Sequence, residues 1–304
     1  MGLRVLRFIF FGNYFIGLLA IALTIESTLQ LKVPFNSLSY YVLLFLAPIV
    51  YYTYAYMGAK DSQGSQNPRT QWYAKHRVFV LWSQLIFSAI CGILIAYIMV
   101  NDYRAILHLP IEYWITVGVI VAMAILYYGL VPVFFFNLNL RNTGWLKPFI
   151  IGFVWAATAN LLPLIMLKIQ SDVDVAKTTF WYFLFVKNWM FCTVNAIMFD
   201  MKDYAIDSNN QLKTFVVRIG LKKTIFYVLV PLLITGAISL LIFAYIMQFP
   251  LPRLAFNLLP FLLTGIVAYS MNKRKKIFYY LIVIDGLILV KAVCGILGMW
   301  LIQS

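Results

Sequence analysis

The chain has 304 residues, of which 63% are hydrophobic and 11% charged, with a mean hydropathy of +0.87. An average soluble domain is apolar over roughly 45–50% of its residues, so this composition excludes a soluble protein and indicates a polytopic membrane protein. The net charge of +14 does not require a nucleic acid partner, because basic cytoplasmic loops and their contact with anionic lipid account for it.

Nine apolar segments follow one another along the chain, each about 20 residues long, the length that an α-helix needs to cross a bilayer. Since no linker or extramembrane domain interrupts them, we expect a single all-α membrane domain over residues 1–304. We expect the first helix to be retained, because the later segments continue its charge alternation. The centres of the nine predicted spans lie near Phe15, Leu46, Phe87, Val121, Ala157, Phe191, Ile234, Gly265 and Ile288.

Lysine and arginine are concentrated in the amino-terminal segment and in the loops after the second, fourth, sixth and eighth predicted spans. By the positive-inside rule these segments face the cytoplasm, which places the amino terminus inside and the carboxyl terminus outside. We expect the protein to reside in this orientation in a bacterial inner membrane.

Three charged residues, Lys187, Asp285 and Lys291, fall inside predicted spans. A charge at that depth is costly and marks a structural pair or a functional site. Asp285 and Lys291 are six residues apart and do not share a helix face, so we expect an intramembrane ion pair between Lys187 and Asp285. Ion or proton conduction through these groups is the alternative.

Three aspartates, Asp200, Asp203 and Asp207, stand at i, i+3 and i+7 at the end of the sixth apolar segment. On a helix this spacing places the carboxylates along one face, where they repel one another unless a cation binds between them. The pattern therefore predicts a divalent cation that carries a phosphate group. The alternative is a solvated helix end balanced by Lys202 and Lys213.

The aspartates are followed by Lys213 and Thr214, then by Val-Val-Arg-Ile and Gly220. This order resembles the second aspartate motif of the UbiA-type intramembrane prenyltransferases. Asp203 and Asp207 match the motif's pair, Asp200 matches the preceding residue, and Thr214 and Gly220 fall at the family's distances. The stretch that includes Gly144, Lys147, Gly152 and Trp155 is similar to the family's link between its fourth and fifth helices. Nine spans with an inside amino terminus are the family's usual architecture.

The resemblance implies a nine-helix bundle with a polar cavity that faces the cytoplasm. It also implies a Mg²⁺-dependent transferase that moves an isoprenyl group from its diphosphate to an apolar acceptor, either aromatic or lipid, within the membrane. The carboxylates would hold Mg²⁺, and nearby basic residues would bind the diphosphate. The implied metal ligands are Asp200, Asp203, Asp207 and Asp61, and the implied diphosphate-binding residues are Lys213, Arg141, Lys147 and Arg69.

The family's first aspartate motif is reduced in this chain. In the segment after the second predicted span only Asp61 is acidic, while Asn67-Pro-Arg69-Thr resembles the basic tail of that motif. Two alternatives follow: a non-catalytic protein of the same fold that binds a lipid diphosphate, and an ion-coupled transporter that uses Asp285 and Lys187.

Overall fold

A computed structural model gives the fold over residues 2–57, 67–128, 144–173, 179–209, 214–273 and 275–303. Within these ranges the chain is almost entirely helical and contains no strand. Two short π-helical turns, Ile225–Leu229 and Tyr280–Ile284, interrupt the later helices. The α-helices are α1 Gly2–Phe11, α2 Tyr14–Leu31, α3 Leu38–Met57, α4 Pro68–Lys75, α5 Arg77–Asn101, α6 Tyr103–Leu107, α7 Ile111–Tyr128, α8 Lys147–Asn160, α9 Leu162–Ser171, α10 Thr179–Asn209, α11 Phe215–Ile219, α12 Leu221–Thr224, α13 Val230–Ile246, α14 Leu251–Ser270, α15 Ile277–Tyr279 and α16 Asp285–Gln303.

Seven helical stretches in the described ranges are long and apolar enough to cross a membrane. Two further apolar stretches, Leu38–Tyr54 and Ile111–Ile125, are shorter. The chain is therefore an all-α protein of the multi-pass membrane class. The seven stretches are Tyr14–Leu31, Arg77–Asn101, Lys147–Ser171, Thr179–Lys202, Leu221–Ile246, Leu251–Ser270 and Ile277–Leu301.

The first candidate span begins later than the sequence suggested. Hydropathy placed its centre near Phe15, whereas α1 ends at Phe11 and α2 starts at Tyr14 after a turn in which Asn13 has φ 64°. An apolar window does not detect such a turn, because the residues next to it on both sides are apolar. As a result Glu26 lies well inside a candidate span.

Contacts between Cα atoms divide the chain into two units. The first unit comprises residues 1–22, 34–110 and 163–174. In it α3 packs along α5, and α4 contacts both of these helices. Buried aromatic side chains of α1 and α4 fill the contact between these two helices, with the Phe11 and Trp72 rings 6.2 Å apart.

The second unit comprises residues 23–33, 111–162 and 175–304. Its centre is α10, which packs against α8, α13 and α16, while α14 packs against α13 and α16. One face of α10 is apolar and buried over about three turns, which gives this unit its hydrophobic core and fixes the position of the aspartates at the end of α10. The buried core residues of α10 are Phe191, Val194, Ile197, Met198 and Met201.

Candidate functional site

The three aspartates lie on α10, whose helical backbone continues to Asn209. The positions of Asp200, Asp203 and Asp207 therefore share one side of the helix, as the spacing predicted. The side chains of Asp203 and Asp207 lie outside the described part of the structure. Asp200 is described, and it is only 3% exposed.

Lys147, the first residue of α8, forms a salt bridge with Asp200. Its Nζ donates to Asp200 Oδ1 over 2.6 Å, and both side chains are largely withdrawn from solvent. The sequence assigned these two residues to one site in different roles, as a diphosphate-binding cation and as a metal ligand. The structure brings them together as a direct ion pair.

A glycine makes the close packing of α8 on α10 possible. A Cβ atom on Gly152 would lie 2.2 Å from Thr193 Oγ1 and 2.8 Å from the Thr193 backbone nitrogen. Trp189 of α10 also donates from Nε1 to the Phe149 carbonyl of α8 over 2.9 Å. This contact holds the start of α8, and with it Lys147, against the end of α10.

Thr214 and Gly220, the other residues of the motif, bound the short helix α11. Thr214 is fully buried, and its hydroxyl caps the helix by accepting from the Val217 backbone nitrogen over 3.3 Å. Gly220 ends the helix with φ 84°, a conformation that residues with a Cβ rarely adopt. Both residues thus fix the course of the chain after the aspartates.

The remaining predicted ligands, Asp61, Lys213 and Arg141, lie outside the described residues. Among the side chains that are described, no group of three or more His, Cys, Asp or Glu residues could hold a metal ion. The donor chemistry of the segment nevertheless suits Mg²⁺, because Asp200 and the two following aspartates offer hard carboxylate oxygens from one helix.

Arg69 is buried in the first unit, where its side chain donates hydrogen bonds to neighbouring residues. Only 7% of it is exposed, and its guanidinium lies 4.2 Å from the centre of the Tyr56 ring. Nη1 donates to Tyr56 Oη over 3.1 Å, while Nη2 donates to the Phe11 carbonyl over 3.3 Å and to Asn13 Oδ1. Arg69 therefore connects α4 to α3, to the end of α1 and to the turn at Asn13. The contact between Arg69 and a diphosphate, which the family resemblance implies, stays a prediction.

Tyr73 reinforces this connection one turn further along α4. Its hydroxyl donates to the Phe11 carbonyl over 2.8 Å and accepts from Asn13 Nδ2 over 3.2 Å. Its ring stacks on Tyr56 with centroids 5.0 Å apart. Burial raises the pKa of the Tyr73 hydroxyl, so this group remains protonated and able to donate at physiological pH.

A second polar cluster lies among the candidate spans of the second unit and has Glu26 at its centre. Glu26 is fully buried and accepts from Lys291 at Oε2 and from Gln30 at Oε1, the latter over 2.8 Å. Lys187 Nζ lies 3.7 Å from Oε1, and Lys291 also donates to Asn188 Oδ1. Two buried ammonium groups therefore share one carboxylate, and the formal charge of these three side chains is +1.

Neutral polar side chains extend the Glu26 cluster to further helices. Asn188 Nδ2 and Ser27 Oγ donate to Asn160 Oδ1 over 3.3 and 3.1 Å, which adds α8. Lys187 donates to Asn257 Oδ1 over 2.9 Å, which adds α14. The cluster thus joins α2, α8, α10, α14 and α16 within the apolar part of the chain.

The sequence singled out Lys187 and Lys291 but missed Glu26. A glutamate inside an apolar helix is costly and would have marked a site. The predicted first span was centred near Phe15, however, so Glu26 fell beyond its end. Asn195 donates to the Ile284 carbonyl over 2.9 Å, which puts the next residue, Asp285, near the level of Asn195. That level is about 12 Å along α10 from Lys187. Lys187 thus has Glu26 as its ion-pair partner, and the pairing with Asp285 stays a prediction.

We compared the chain with protein-family models, with curated proteins and with solved structures, and none of them matches it.

Proposed function

We propose that the protein is a Mg²⁺-dependent intramembrane prenyltransferase of the UbiA type. It would transfer an isoprenyl group from its diphosphate to an apolar acceptor, aromatic or lipid. The observation that carries the proposal is the buried ion pair between Asp200 and Lys147, which joins the two segments that resemble that family. Solvated carboxylates at a free helix end would not need such a partner.

The polar residues of the site would fall into two groups, metal ligands and diphosphate-binding cations. Asp203 and Asp207 would hold Mg²⁺ together with Asp200, and Lys147, Lys213 and Arg141 would bind the diphosphate. Mg²⁺ bound there would neutralise the diphosphate and stabilise the charge that builds on it as the carbon–oxygen bond breaks. The salt bridge with Lys147 fixes the position of the Asp200 carboxylate.

A UbiA-type enzyme would also have a defined membrane topology. The seven candidate spans and the two shorter apolar helices, α3 and α7, would together make nine spans. With the amino terminus in the cytoplasm, the end of α10 and the start of α8 open into a cavity on the cytoplasmic side of a bacterial inner membrane. The charge distribution supports this orientation.

Turnover tests the proposal. Purified protein in lipid nanodiscs is incubated with Mg²⁺, a long-chain isoprenyl diphosphate and a panel of lipid and aromatic acceptors, and released inorganic diphosphate is measured. Release should depend on Mg²⁺ and should be lost in Asp203→Asn. The matched control is Asp172→Asn, at a carboxylate whose side chain is 89% exposed, and this variant should retain release.

A second candidate function is favoured by the first-motif region. Only Asp61 is acidic there, and the guanidinium of Arg69 already donates to Phe11, Asn13 and Tyr56. A protein with this arrangement can bind a lipid diphosphate through α10 without catalysing transfer. Mg²⁺-dependent binding without release of diphosphate, across the whole acceptor panel, would support this reading over the enzyme.

A further inference from the structure

Helix α1 has one apolar and one basic side. At 100° per residue, Val5, Leu6 and Ile9 lie together, while Arg4 and Arg7 lie on the opposite side. Val5 is 51% exposed and Leu6 41% exposed, although both are large and apolar. A short helix with this pattern is suited to the boundary between headgroups and acyl chains.

The turn after α1 keeps this helix separate from the candidate span α2. A Cβ atom on Gly12 would lie 2.6 Å from the Phe8 carbonyl oxygen and 2.7 Å from the Tyr14 ring, so the turn is tight. Asn13 follows with φ 64°, and its side chain is held by Arg69. Because the turn is fixed by these contacts, α1 is not an extension of the span.

Aromatic contacts attach α1 to the junction between α4 and α5. The Phe8 ring stacks on Tyr14 with centroids 5.0 Å apart, and it lies 6.4 Å from Trp72 and 5.4 Å from Phe79. Trp72 and Phe79 flank the basic residues of the junction, Lys75 and Arg77. Helix α1 is thereby packed against the junction that carries a second basic pair.

All four basic side chains of this region are exposed. In the part of the chain that the structure describes, no carboxylate forms an ion pair with any of them. Four cations beside an exposed apolar face call for a partner that combines an anionic group with hydrocarbon. The four residues are Arg4, Arg7, Lys75 and Arg77.

We propose that α1 and the α4–α5 junction form a binding site for the headgroup of an anionic phospholipid. The phosphate lies among Arg4, Arg7, Lys75 and Arg77, and the acyl chains lie against the apolar side of α1. Each basic residue near an anionic surface increases the affinity about fivefold. A free phosphate ion would satisfy the cations but would leave the apolar side of α1 without a partner.

Native mass spectrometry of the purified full-length protein tests the site. The protein is titrated in detergent with a short-chain phosphatidylglycerol and, separately, with phosphatidylcholine of the same chain length, and the first bound lipid is quantified. In Arg4→Gln/Arg7→Gln, the affinity for phosphatidylglycerol should fall about 10- to 25-fold, while the affinity for phosphatidylcholine changes less than about twofold.

Two further variants keep the experiment decisive. Lys75→Gln/Arg77→Gln should reduce the affinity for phosphatidylglycerol by the same factor. Because these residues lie outside α1, such a result would rule out misfolding of α1 as the cause of the reduced affinity. Lys222→Gln/Lys223→Gln removes the same charge from an exposed pair on α12 and should leave binding unchanged. Equal losses in all three variants, equal losses for both lipids, or displacement of the bound lipid by millimolar inorganic phosphate would overturn the proposal.

Discussion

The Glu26 cluster gives a prediction with a definite sign and size. Substitution of Glu26 by glutamine keeps the shape of the side chain but removes its charge. Lys187 and Lys291 then remain buried, 7% and 4% exposed, without the carboxylate that they share. Loss of one partner from a buried ion pair typically costs about 3–5 kcal/mol. Because two cations depend on Glu26, we expect the upper part of this range.

Removal of one of the cations should have a much smaller effect. In Lys187→Met, the formal charge of the cluster falls from +1 to zero and the pair between Lys291 and Glu26 remains. The main loss is the hydrogen bond to Asn257 Oδ1, which is worth roughly 1 kcal/mol. Charge balance therefore predicts that Glu26→Gln destabilises the protein much more than Lys187→Met does.

Thermal unfolding in detergent, followed by intrinsic tryptophan fluorescence, measures both effects. Glu26→Gln should lower Tm by roughly 6–10 °C, and Lys187→Met by no more than about 2 °C. Glu112→Gln is the matched control, since Glu112 is the chain's other glutamate and is exposed. If Glu26→Gln lowers Tm no more than Glu112→Gln does, or if Lys187→Met is equally harmful, the charge argument is wrong.

Three smaller predictions follow from local geometry and are checked by the same unfolding measurement. Gly295→Ala should destabilise by about 1–3 kcal/mol, because the new Cβ would lie 2.4 Å from Glu26 Oε1, whereas Gly286→Ala on the same helix has nothing within 4 Å and should be tolerated. Arg69→Lys should lower Tm, since an ammonium cannot reproduce the planar set of donors, and a Tm equal to wild type would contradict its structural role. Thr214→Val removes the cap of α11 and should cost about 1 kcal/mol, and no loss would mean that the cap is dispensable.

The helical framework could be predicted from hydropathy alone, because burial in a bilayer demands long apolar segments. The predicted span centres near Phe87 and Phe191 fall inside α5 and α10. The turn at Asn13 could not be predicted in this way, since hydropathy does not register Gly12 and Asn13, residue types that favour turns and accept the left-handed conformation. The error in the first span then concealed the position of Glu26.

The candidate site shows a similar division. Spacing predicted that the three aspartates lie on one helix side, and resemblance drew Lys147 into the same site as Asp200. Their direct pairing depends on the close approach of α8 and α10 at Gly152, which sequence spacing does not reveal. The sequence around Arg69 does not show whether a basic residue there binds a ligand or makes buried contacts within the protein.

In the proposed enzyme, the carboxylates of α10 hold a metal that bridges to a prenyl diphosphate. The most direct measurement is the Tm of the purified protein with a long-chain isoprenyl diphosphate, in the presence and absence of Mg²⁺. We predict a rise in Tm that requires Mg²⁺, disappears in Asp203→Asn and persists in Asp172→Asn. Protection that survives both a chelator and Asp203→Asn would contradict the account.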